Sequence, residues 1–232
     1  MMRAKIVVLT TLLFSLFGSH VFAAQPTDAG TFPNNWYSDY GSIGYFPHSQ
    51  SGTTQLKIKT QASSACLMDA STLSTLSTYG FDQWGSSLSL SRTSTTSSDY
   101  HIFTTCISGL EATELGLPSN TVGYSPWETS EVLYYAKTNT NVTKYVARLA
   151  KSKVYLIWNG TTMFYSTNKW KSIIAHEYGH ALGYIGHDST SSINNKAIMS
   201  SAVGTFYDSW QLTAPTTRDF THIRNSYHKF YS

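Results

Sequence analysis

The stretch "WKSIIAHEYGHALGYIGHDS", residues 170–189, constrains this chain more than any other. Ser166, Thr167 or Asn168 can cap a helix start, and Gly183 suits the left-handed position that ends one. The spacing therefore predicts a helix over about 168–182. Residues four apart on such a helix stand on one face, so His176 and His180 present two imidazoles to a common point. Glu177 sits one position round, within reach of whatever the two rings hold. Ile173 and Ile174 give the helix an apolar flank to bury. Two imidazoles with a neighbouring carboxylate can hold a divalent ion and activate its water. With eight His in 232 residues, the expected number of chance HExxH matches is only about 0.006.

Two donors do not complete a catalytic zinc site, which normally has three protein ligands and an open position. No glutamate follows Glu177, so the downstream donors are His187, Asp188, Asp208, Asp219, His222 and His228. Gly183 turns the chain back just before His187, which makes that imidazole the best third ligand.

The run His176-Glu177-Tyr178-Gly179-His180-Ala181-Leu182-Gly183, followed by His187 and by Met199 in "AIMSSA", resembles the metzincin zinc endopeptidases, in particular small bacterial matrixin-like ones. The resemblance is strong over 170–202. It implies zinc held by His176, His180 and His187, Glu177 as general base, and Met199 in a turn beneath the ligands. It also implies a protein or peptide substrate lying extended along an edge strand. One departure stands out: the family pattern puts its third histidine at position 186, which here is glycine. Glycine tolerates the dihedrals of a one-residue bulge. The slip leaves Asp188 open as a ligand in place of His187, or as an acceptor from a ligand imidazole.

The remaining chain frames this segment. Arg3 and Lys5, a mostly apolar run from Ile6 to Phe17, and Val21-Phe22-Ala23 have the layout of a secretory leader over residues 1–23. This run of twelve residues falls short of the ~20 that a spanning helix needs. We therefore expect a secreted protein with no stable membrane insertion after cleavage. In an exported chain the two cysteines, Cys66 and Cys106, are expected to pair. That bridge would stabilise by roughly 4 kcal/mol on the chain-entropy account. A net charge of +3 is too small and scattered to indicate nucleic acid.

Residues 24–55 read as an irregular segment and 56–232 as one catalytic domain. Strands are expected at 56–59, within 88–98, at 100–107 and at 153–159, with a short edge strand at 121–127. Helices are expected at about 64–85 and 215–228, and 128–150 carries a weak helical pattern. The fold class is α+β: a small mixed twisted sheet, an active-site helix and a C-terminal helix, expected as a monomer. No loop has the carboxylate density of a Ca2+ site, so calcium is not indicated. His48, His101, His222 and His228 read as solvated or structural. Two other functions fit less of the sequence: a secreted zinc-containing protein binding cell wall or carbohydrate without catalysis, and a hydrolase of cell-wall cross-linking peptides.

Overall fold

A computed structural model describes residues 43–47, 52–137, 143–188 and 193–229. The expected leader, much of 24–55 and His48 lie outside these residues. The strands are β1 (Ile43–Tyr45), β2 (Thr54–Thr60), β3 (Leu90–Thr95), β4 (Ile102–Ser108), β5 (Gly123–Tyr124), β6 (Trp127–Lys137) and β7 (Thr143–Trp158). The helices are α1 (Ala70–Gly85), α2 (Gly109–Glu114), α3 (Thr167–Ala181) and α4 (Thr217–Lys229). The result is a mixed α/β fold in which most strand pairs are parallel.

β7 organises the sheet. Its residues 152–158 pair in parallel with β4, and its residues 146–148 pair in parallel with β1. Its other edge carries β6 and then β5, both antiparallel. Beyond β4 lie β2 and β3, parallel again. Alternate β7 residues Val154 and Leu156 join the main core beneath α1 and α3, while Ile157 packs outward against Ala112 of α2. The same alternation puts Ile102, Thr104 and Cys106 of β4 in the interior.

The structure departs from the expected elements in three places. Residues 24–55, expected to be irregular, contain strand β1. The first helix begins at Ala70 and not near 64, because Asp69 caps it: the carboxylate accepts from Thr72 N (2.8 Å) and from the hydroxyl of Thr72 (2.6 Å). The preceding turn is tied to the sheet by the Cys66–Cys106 disulfide, with Cα atoms 5.8 Å apart. Within 128–150, where the spacing suggests a weak helical pattern, residues 128–137 belong to β6 and 143–150 to the first half of β7. Buried Ala147 and Leu149 alternate there with exposed Arg148 and Ala150. That period of two decides for strand. Among the described residues no helix is long and apolar enough to cross a membrane.

Candidate metal centre

α3 is held where its histidines are needed. Ser166 caps it, its hydroxyl accepting from Lys169 N at 3.2 Å. Trp84 of α1 donates its indole N–H to the carbonyl of Ala175 at 2.7 Å, fixing one helix on the other. At the far end Gly183 N donates to His180 O (3.0 Å) and Tyr184 N to Gly179 O (2.9 Å), a left-handed termination with Gly183 at φ 121°. Gly186 also has positive φ, 71°. The two glycines together turn the chain through the extra residue and bring the His187 ring to 5.0 Å from that of His180 and 5.3 Å from that of His176.

The ring orientations follow from hydrogen bonds. His176 Nδ1 donates to the carbonyl of Ile198 and His180 Nδ1 to that of Tyr184, both at 2.7 Å. A carbonyl only accepts, so each Nδ1 carries the hydrogen and each Nε2 keeps its lone pair. Those two Nε2 atoms lie 3.1 Å apart. Two lone pairs facing each other at that distance repel, and a cation between them removes the repulsion. A ligand nitrogen of His187 completes a group whose donor atoms all lie within 4.8 Å of one another. Burial, and then the nearby His180, holds the pKa of His176 well below its usual value. Burial lowers that of His180 to about 4 and lowers that of His187 as well. All three rings are therefore neutral near pH 7, the form that binds a metal. Three imidazoles with a free fourth side are a donor set suited to zinc.

Asp188, the alternative ligand, is turned elsewhere. It is buried, its Oδ2 accepts from Arg218 Nε, and its backbone N donates to Met199 O at 2.8 Å. The other downstream donors are also engaged away from the rings. Asp208 pairs with Lys169 at 2.8 Å, and His222 is buried, stacked 4.0 Å from Tyr184. His101 Nδ1 accepts from Lys57 N at 2.8 Å, a sheet contact. The side chain of His228 lies outside the described residues.

Glu177 is 6% exposed, and burial pushes its pKa up to about 8. It lies against β5 so closely that a Cβ on Gly123 would stand 2.7 Å from its Cγ. Met199 is fully buried next to α3: a Cβ on Gly179 would meet its Cε at 3.0 Å. A cleft of about 360 Å3 runs past Gly123, Ile173, His176, Glu177, His187 and Phe206. Phe206 stacks on the His176 ring, centroids 4.8 Å apart and planes within 15°.

Two contributors escape a reading of the sequence. Phe206, in a π-helical turn over Gly204–Ser209, carries no distinguishing signal. Asp219 stands out there only as a metal donor. Its carboxylate instead accepts from Ile198 N (3.0 Å), Met199 N (3.1 Å), Thr216 N (2.7 Å) and Thr216 Oγ1 (2.8 Å). It therefore pins the turn whose carbonyl at 198 orients His176. The local pattern Thr216-x-x-Asp219 ahead of α4 is a capping-box signature and is the available clue.

No protein-family model and no curated protein matches the chain. Among solved structures 13 chains match. One, titled "Crystal structure of myroilysin", is 12% identical and aligns over 85% of this chain and 97% of that one, with a TM-score of 0.40. A likeness that low carries no argument about what this chain does.

Proposed function

We propose that this chain is a secreted zinc-dependent endopeptidase of the metzincin kind. The observation that supports it best is the pair of Nε2 lone pairs 3.1 Å apart, joined by a third imidazole beside the buried Glu177. His176, His180 and His187 would hold the ion. Zinc bound there would supply a water of lowered pKa and polarise the scissile carbonyl.

The rest belongs to the chain itself. Glu177 would take the proton of the attacking water and return it to the leaving amine. Its burial shields that proton from bulk water between the two events. Met199, Asp219 and the carbonyls of Ile198 and Tyr184 would keep the rings from turning. β5, paired only to β7 among the described strands, offers an edge for an extended substrate. The leader-like N-terminus and the disulfide support export.

Metal analysis and peptide hydrolysis by the protein beginning at residue 24 test this reading. Glu177→Gln should retain about one metal per chain while turnover falls roughly 100-fold or more. His180→Ala should lose both metal and turnover, and a chelator should abolish wild-type cleavage. Ordinary hydrolysis by Glu177→Gln would overturn the assignment.

A further inference from the structure

The edge strand beside Glu177 has an outer face that the peptidase reading leaves unused. Ile157 N donates to Val122 O (3.0 Å) and Lys153 N to Pro126 O (2.9 Å), with Tyr124 opposite Tyr155 between them. In an antiparallel pair the bonded positions alternate. Val122, Tyr124 and Pro126 therefore turn their main-chain groups toward β7, and Gly123 turns its N–H and carbonyl to the open edge. A strand added there bonds to Gly123. The residue opposite Gly123 points its side chain to the Glu177 face, where a Cβ on Gly123 would collide with that carboxylate's stem. The next residue along must point to the opposite face, beside Tyr124.

That face is already built. Tyr124 is 40% exposed, one of the large apolar residues on the surface among the described residues. It is backed by Tyr155, with centroids 6.1 Å apart and planes within 14°. Lys153 Nζ approaches the Tyr155 ring at 5.9 Å, and its charge is balanced by Glu128 at 2.7 Å. The surface offered is thus a fixed, nearly neutral aromatic plane without a net charge to attract an ionic side chain.

We propose that Tyr124, supported by Tyr155, is a specificity platform that selects an aromatic side chain on the substrate residue adjacent to the one entering the cleft. The inference rests on the peptidase reading and adds a subsite on the sheet face away from the metal. Cross-strand aromatic pairs favour the aromatic partner by about two- to tenfold.

The test walks a single tyrosine through an otherwise invariant cleavable peptide, with alanine at the other positions. One position should show kcat/KM about two- to tenfold above its alanine counterpart, the gain residing in KM. Tyr124→Ala should bring that ratio to one, and Tyr124→Phe should keep it. A flat profile in the wild type, or a preference that survives in Tyr124→Ala, overturns the platform while leaving the peptidase reading intact. A chain that cleaves no member of the series overturns both.

Discussion

Replacing Asp219 should be among the most damaging single changes outside the histidines. The residue is fully buried and accepts four hydrogen bonds, two of them from the backbone N–H groups of Ile198 and Met199. Those two residues are themselves inaccessible to solvent, at 0% exposure. Asp219→Ala leaves both donors without a partner, at about 1–3 kcal/mol each. It also removes the helix cap at Thr216, worth about 1 kcal/mol. The sum is about 3–7 kcal/mol, against a total of about 5–15 kcal/mol for a domain. Asp219→Asn is milder. Its single oxygen can serve Ile198 and Thr216, but its amide then faces Met199 N–H, one orphaned donor at about 1–3 kcal/mol. Urea unfolding of the metal-free protein measures both changes, with an unaltered slope required for the comparison. The turn at 198 anchors His176, so metal affinity should also fall about 10–100-fold in Asp219→Ala. Midpoints within about 1 kcal/mol of wild type, together with unchanged affinity, would refute the idea that this carboxylate holds the turn.

Two further outcomes follow from the same geometry. Gly123→Ala places a methyl 2.7 Å from Glu177 Cγ, so kcat should fall about tenfold or more while bound metal, measured by elemental analysis, is unchanged; an unimpaired kcat would mean that Glu177 does not work from this position. The metal-free protein should be most stable near pH 6.5, as judged by Tm across pH 4–9 with chelator present. Below that optimum the buried histidines lead: their folded pKa values are depressed, to about 4 for His180 against an ordinary 6.5, so the stability they contribute above 6.5 is lost as pH falls toward 4. Above it Glu177 leads: its folded pKa is raised from 4.5 to about 8, so stability is lost as pH rises to 8. Glu177→Gln should remove the alkaline decline, and a decline that remains in that variant would refute its cause.

The parts of this structure that could be read from the chain are those where physics constrains side-chain type at short range. A period of 3.6 residues puts His176 and His180 on one face whatever surrounds them, and Ser166 and Gly183 bound the helix by local dihedral and capping rules. The extra residue before His187 is absorbed by Gly186 at φ 71°, a tolerance visible in the residue itself. The ambiguity of 128–150 has an equally local origin. Apolar residues four apart share a face in a strand as well as in a helix, so that spacing alone fits either. Four neighbours bonded to the 16-residue β7 then decide what spacing leaves open. Other contributions are silent because main-chain atoms make them. Ile198 and Tyr184 serve the rings through their carbonyls, which almost any residue could supply, and Gly123 offers an edge through its N–H and C=O. Asp219 lies between these cases. Its capping role is local and legible in Thr216-x-x-Asp219, whereas the N–H groups it holds are 20 and 21 residues away. A candidate site of this kind is therefore legible in its donor side chains and hidden in the main-chain contacts that orient them.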